Sequence, residues 1–432
     1  MPYRLAARGE EIAVRQCSMK SLEGPKTETR QAIICSDIGQ TDSDRLRLED
    51  RRISAALVSP FIVLMAQYSV LVSKDLIGTG IGHTIQILSK ILVGISFAYA
   101  LPVVLRRNKR RFLGAYSILT FVFLLHYLMF PENNMYQNQL VFPLFAMCLP
   151  AFIYSSAIRD WQALRDVMRK ASYIVFSLGL LLGLMVFGGK ASIGVYSMPL
   201  SYYLLLPAIA FIDESLDRRR IGDILAAFLS VVLILAIGAR GPIMCIAAFA
   251  ILKTMRFPAR LRHSHVFAYL CSILLVIMVA LFFDELLMSM SRFLSRFGID
   301  SRSIALLLQP GLDLSGRDLL YSRVIAEIMD NPITGIGIGG DRRVLNGVYA
   351  HNLLIELVAD YGIPLGSLFV LVLLGLMIRF SHSRDKCQRN VFAMWLNISV
   401  IPLLVSGSYL ESTGFWICLG MLVQDLTVTC KH

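Results

Sequence analysis

The residues best suited to chemistry lie between positions 284 and 362. His351 stands in the run Tyr349-Ala350-His351-Asn352, just ahead of an apolar stretch. A neutral imidazole can take a proton near pH 7, and an asparagine beside it can orient the ring or a sugar hydroxyl. A lone histidine more often packs a loop than works as a base, so both readings stay open. The same region holds Arg292, Arg296, Arg302, Arg317, Arg323, Arg342 and Arg343 and no lysine. Planar guanidinium groups grip phosphate oxygens in pairs, whereas lysine acts as a point charge. About ten carboxylates accompany them, so most of these arginines read as a solvated or headgroup-facing surface. Arg317 stands apart, because it opens an amphipathic helix whose first N–H groups also attract anions. Arg240, in the run Gly238-Ala239-Arg240-Gly241-Pro242, is the other exception: a charge at a membrane boundary needs a partner.

Gly335, Gly337 and Gly340 fit the spacing of a dinucleotide-binding loop. No strand or βαβ pattern surrounds them, so a turn that lets backbone pass close to a helix or ligand is the better reading. The preceding run from Ser315 to Pro332 puts Leu319, Leu320, Val324, Ile325 and Ile328 on one helical face. Ser315 and Asp318 have the spacing of a capping box, and Pro332 marks the stop.

The elements that hold these residues follow from hydropathy. The chain has 432 residues, 56% of them hydrophobic, in runs long enough to cross a bilayer as helices. Its mean hydropathy is +0.63. Lipid offers backbone groups no hydrogen-bond partner, and the runs lack the alternation of barrel strands. The pattern predicts an all-α integral membrane protein with about twelve spans. They are Ile53–Ser73, Ile85–Leu105, Phe112–Phe130, Gln139–Ser156, Ser172–Gly188, Tyr196–Ile212, Gly222–Ile237, Gly241–Leu252, Val266–Phe283, Ile363–Ile378, Val391–Ser406 and Thr413–Val423. Residues 1–52 form a loosely ordered polar tail, 53–283 hold nine spans, 284–362 form one large, partly helical outer loop, and 363–432 hold the last three spans.

The formal net charge of +12 lies in clusters between apolar runs, which argues for topology signals and against nucleic acid. With twelve spans, every large basic cluster falls on one side, so both termini are cytoplasmic. The loop of about 79 residues is too long for its own arginines to contradict this. None of the eight cysteines lies in it, and scattered histidines make a poor zinc site, so no metal is expected.

The ordered set GARGP, then SGRDLLYSRVIAEIMDNPITGIGIGG, then YAHNLLIELVADYGIPLG resembles the O-antigen polymerase and O-antigen ligase family of bacterial envelope glycosyltransferases. The match is strong over roughly residues 312–370, and its arrangement looks more like the polymerases. The resemblance implies a C-type glycosyltransferase fold in the bacterial inner membrane with a periplasmic catalytic loop. It implies polymerisation of undecaprenyl-pyrophosphate-linked repeat units into O-antigen or exopolysaccharide, without metal or other cofactor. Carried over, His351 is the base with Asn352 beside it, Arg240, Arg317 and Arg323 hold the pyrophosphate, and Pro332, Gly335 and Gly337 shape the loop. A flippase and a chain-length regulator are the implied partners, besides membrane lipid. A ligase transferring finished glycan to lipid A-core or protein is the runner-up. A transporter of the same unit is a third reading, disfavoured because the polar residues gather in one loop and not at mid-membrane.

Overall fold

In the computed structural model, the structure describes residues 25–74, 76, 78–187, 198–218, 220–237, 240–255, 283–296, 317–383 and 385–429. Those residues fold into helices α1 (Pro25–Ser73), α2 (Gly80–Met129), α3 (Pro131–Ser155), α4 (Trp161–Phe187), α5 (Met198–Tyr203), α6 (Leu205–Arg218) and α7 (Ile221–Ile237). After these come α8 (Arg240–Met255), α9 (Phe283–Ser295), α10 (Arg317–Asp330), α11 (Gly340–Val344), α12 (Leu353–Ser381), α13 (Lys386–Trp395) and α14 (Thr413–Thr429). No strand occurs among the described residues. Met1–Glu49 and Asp50–His432 form separate compact units. The tail expected to be loosely ordered is helical from Pro25 onward.

Among the described residues, five helices are long and apolar enough to cross a membrane: Asp44–Ser73, Gly80–Met129, Pro131–Ser155, Trp161–Met185 and Leu353–Ser381. Ile221–Ile234, Gly241–Lys253 and Thr413–Gln424 are apolar but shorter. Most of the expected span Val266–Phe283 lies outside the described residues, as do Arg302, Asp313 and Ser315. Where two spans were expected between Ile85 and Phe130, α2 runs through both and breaks at Asn108, with φ −138° and ψ 39°. Its two arms meet one neighbour: Tyr154 donates to the Phe97 carbonyl at 2.6 Å, and Tyr116 donates to the Phe145 carbonyl at 3.0 Å.

Polar contacts collect at two poles of the bundle. At one, buried Asp50 accepts from Arg107 at 2.5 Å and from the amides of Arg159 and Asp160 at 3.2 and 3.1 Å. Arg165 pairs with Asp213 and Asp217, each at 2.7 Å, and Lys253 also reaches Asp213. Charged residues far apart in sequence therefore meet at this pole. At the other pole, His126 and the residues after it grip the segment 336–343.

Two of the helices lose regular geometry where they face a shared space. Phe142–Cys148 is a π-helical stretch containing Pro143, whose missing N–H removes one ladder bond. Leu396–Val400 is likewise π-helical and passes into a 3-10 turn at Ile401–Leu404, which contains Pro402. Irregular backbone at membrane depth is tolerated where protein buries it or where it lines a cavity.

The helix α12 turns sharply at Gly362, with φ 78° and ψ 169°. A side chain on Gly366 would lie 2.7 Å from the Leu357 carbonyl oxygen. In a straight helix those residues stand ~13 Å apart along the axis, so Leu353–Tyr361 is folded across the end of the longer arm. The stub carries α10, through Val324 and Ile328 packed on Ala359, Ile355 and Val358. The expected apolar face of α10 is therefore recentred on Leu320, Val324 and Ile328, while Leu319 and Ile325 are exposed.

The two poles give a direct test of orientation. By the charge rule the Asp50–Arg107 pole is cytoplasmic, so reporters fused after Arg110 should read as cytoplasm and those after Asn134 and Gly340 as periplasm. A cytoplasmic signal at both Asn134 and Gly340 would invert the molecule.

Candidate functional site

The site is built on a loop that backbone contacts leave little freedom to move. Residues 331–340 are stitched to the turn of α12. Ile336 N–H donates to the Ala359 carbonyl at 2.7 Å, and Ile363 N–H donates to the Pro332 carbonyl at 2.8 Å. Gly335 has φ +69°, and a Cβ there would stand 2.4 Å from the Ala359 oxygen. Gly337 has φ +76°, and a Cβ there would strike the Phe130 ring. Both positions need glycine for conformation and for space. On the far side Asn133 Nδ2 donates to the Ile336 carbonyl at 2.7 Å, and Gln137 Nε2 to that of Ile338 at 3.0 Å. His126 Nδ1 accepts from Ile338 N–H at 3.2 Å. With the amides of Ile336 and Ile338 engaged in this way, the loop serves packing, not a nucleotide phosphate.

Arg342 is the hub. Its guanidinium, expected on a solvated surface, is buried. Nη2 donates to Ser408 Oγ at 3.0 Å and to Glu411 Oε1 at 3.3 Å, and Nη1 lies 3.4 Å from Asp341 and 3.6 Å from Glu356. Its charge also lies 5.6 Å from the centre of the Tyr349 ring. Glu356 and Asp360 are both fully buried; Glu356 accepts from Ser408 Oγ and Tyr409 N–H, and Asp360 from the Tyr409 hydroxyl at 2.6 Å. Burial raises the Asp341 carboxyl above its usual range, although Arg342 and the Ala350 amide, 2.9 Å from Oδ2, oppose the shift.

These contacts fix the residues on either side of His351. Asp341 holds Ala350, and Asn352 caps α12: its Oδ1 accepts from Leu354 and Ile355 N–H at 3.0 and 3.3 Å, and its Nδ2 donates to the Leu404 carbonyl at 3.3 Å. Both ends of Asn352 are thus bonded to backbone. His351 between them takes φ +57°, a strained conformation for a residue with a side chain. Its ring sits 4.2 Å from that of Tyr349, and its Nδ1 is buried without a hydrogen bond among the described residues. Burial first, and the charge of Arg317 second, lower its pKa to about 4. His351 is therefore neutral at pH 7, and its Nδ1 is not engaged by the described residues around it.

Arg317 begins α10 and is close enough to act on both His351 and Tyr349. Arg323 is exposed and lies about one and two-thirds turns along α10 from Arg317, on a different face, so it is not brought to His351 with it. Beyond Tyr349 opens a cavity of about 320 Å³ between α1, α5, the irregular stretches of α3 and 396–404, and residues 406–414. Phe61, Tyr202, Tyr203 and Leu403 form apolar walls, while Ser406, Ser408, Glu411 and Ser412 supply hydroxyls and a carboxylate. Gly241 packs against the Tyr202 hydroxyl, where a Cβ would stand 2.1 Å away. Residue 240, at the start of α8, is thus next in sequence to a glycine packed on Tyr202, which lines the cavity. Such a space suits a sugar: aromatic faces for the ring and hydroxyl partners for its edge. No group of three or more His, Cys, Asp or Glu among the described residues could hold a metal ion.

Sequence reading missed Arg342, Ser408 and Glu411. Removing the guanidinium should leave Asp341 and Glu356 buried without their cation, at a cost of about 3–5 kcal/mol. Arg342→Ala should therefore unfold at a clearly lower temperature in detergent, while Arg343→Ala, on a half-exposed side chain, should stay near wild type. Equal melting temperatures for the two variants would remove Arg342 from its central place.

A search of the curated proteins finds no match. Residues 225–370, which include positions 240, 317, 323 and 351, match the family model described as O-antigen ligase. Over that segment the chain is similar to the O-antigen ligase family, the same family that its motifs resemble.

Proposed function

We propose that the protein is a polymerase that moves a growing polyprenyl-pyrophosphate-linked glycan onto a newly exported lipid-linked repeat unit at the periplasmic face of the inner membrane. The observation that carries this reading is the pairing of a neutral, unbonded His351 nitrogen with Arg317 next to a sugar-sized, hydroxyl-lined cavity. Glycan transfer in the membrane is the function the family match indicates. In this reading Arg317 and Arg240 hold the donor pyrophosphate and neutralise the charge that develops as it leaves. His351 takes the proton of the acceptor hydroxyl, whose oxygen forms the new bond to the anomeric carbon as the carbon–oxygen bond to pyrophosphate breaks. Attack opposite the leaving group inverts that carbon. The donor carries its own leaving group, so no nucleotide is consumed, and the arginines do the work a metal would do. Asn352 positions His351 through the helix cap, and Arg323 is the weakest of the pyrophosphate candidates.

The family description favours a second reading, transfer of finished glycan to lipid A-core. Deletion separates the two. A single repeat unit on core indicates a lost polymerase, and core without any attached glycan indicates a lost ligase.

Replacing the base should cost about 10²–10⁴-fold in rate, so His351→Ala should stop chain extension with donor binding intact. His351→Gln at normal expression and full activity would sink the general-base role. The pH profile carries a second test. The base form of His351 is lost as pH falls through about 4 in the free protein, so the acid limb of kcat/KM should lie there. Bound pyrophosphate offsets Arg317, so the limb of kcat should lie at higher pH. Arg317→Gln should raise the kcat/KM limb, since it removes the charge that opposes protonation. The same shift makes folding weaken as pH falls from about 6.5 to about 4, because the unfolded chain binds the proton first.

A further inference from the structure

The helix α10 has more apolar surface than its packing uses. Leu320, Val324 and Ile328 face the stub of α12, and Arg323, Glu327 and Asp330 form a polar stripe along one flank of that face. The side turned away from the stub is a third sector, with Leu319 59%, Ile325 41% and Met329 62% exposed, and Asp318 as its charge in the first turn. Just past the helix Ile333 is 75% exposed. The carbonyl of Ile333 lies against Gly362, where α12 turns, and the Pro332 carbonyl accepts from Ile363 N–H at 2.8 Å, so the backbone at Ile333 runs beside the head of the long arm, where Ile363 and Leu365 are exposed. That arm belongs to a candidate span that packs Val370, Leu373, Leu376 and Met377 on the core and leaves Leu368, Leu371, Val372, Leu374 and Ile378 exposed. The neighbour of these exposed side chains in the membrane is lipid.

From this continuity we infer that α10 and Ile333 lie in the bilayer interface, with Leu319, Ile325, Met329 and Ile333 inserted among the outer acyl segments. The turn at Gly362 is what permits it. A straight α12 would carry α10 away from the lipid, whereas the folded stub lays it across the end of the span. A helix with one apolar sector and one charged stripe suits that plane, with the apolar side ~5–10 Å into the headgroup boundary. The consequence for chemistry, which rests on the transfer reading above, is that Arg317 and His351 sit at headgroup height. A polyprenyl-linked pyrophosphate arrives at that height without its tail leaving the membrane.

The experiment uses the full-length protein in lipid nanodiscs, with no donor present, so its outcome does not depend on activity. Single Met329→Trp, Ile333→Trp and Asp330→Trp variants are read as difference fluorescence against wild type, whose Trp161, Trp395 and Trp416 give the background. Lipids brominated near the carboxyl end of the acyl chain should quench most of the signal added at 329 and 333, and little of that added at 330. Equal quenching at all three positions, or none at 329 and 333, would overturn the placement. Loss of quenching at 329 and 333 when two copies are loaded per disc would assign the face to a second copy, and also overturn it. If quenching is as expected but no donor supports transfer, the interfacial helix stands and the functional reading falls.

Discussion

The outer part of this protein depends on one buried guanidinium. Arg342 ties together three segments: the loop that carries it, the stub of α12 through Glu356, and the 406–412 turn through Ser408 and Glu411. A cation withdrawn from water is costly unless its donors are met, and here carboxylates and a hydroxyl surround it. The same carboxylates would be costlier still without it. Because Asp341 then holds the Ala350 amide, the hub reaches the backbone beside His351 directly. The strained φ of His351 persists because both neighbours are fixed by groups tied to this network.

A second constraint, steric and not electrostatic, sets where that network sits. Glycines at 335 and 362 let backbone lie on backbone, and Gly337 lets it lie on the Phe130 ring, closer than any side chain allows. The loop therefore packs between α12 and the junction of α2 with α3, and polar side chains of that junction, His126, Asn133 and Gln137, satisfy its peptide groups. The hub supplies attraction, and the glycines decide how near its parts come. Together they put a histidine, an arginine and an aromatic-walled cavity on one rigid base, which preorganised chemistry needs.

How much of this the sequence disclosed depends on the kind of signal. His351 and Arg317 could be singled out because their chemistry is local: an imidazole beside a helix start, and an arginine at the head of an amphipathic run. Arg342 could not, since nothing in Asp341-Arg342-Arg343 distinguishes the buried arginine from the half-exposed one. Burial is decided by segments some 60 residues away in sequence, and Glu411 lay outside the loop thought to hold the site. Asn352 was readable in part, since asparagine ahead of an apolar run is an ordinary helix cap, yet its position beside a histidine drew attention to catalysis instead. The face of α10 was misjudged for a related reason. Periodicity counts apolar residues without saying which partner each one meets, and α10 meets one protein surface with Leu320, Val324 and Ile328 while Ile325 and Met329 face elsewhere.

That last point bears on how such a site keeps water out of a reaction with a good leaving group. His351 is only partly exposed, and its ring lies against Tyr349, which lines the cavity. Tyr349 is also the ring that Arg342 faces, so this part of the cavity wall belongs to the hub. Ser408 and Glu411, which line the cavity with Tyr349, are also Arg342 partners, so the cavity wall and, through Asp341 and Ala350, the backbone beside His351 are tied to a single side chain.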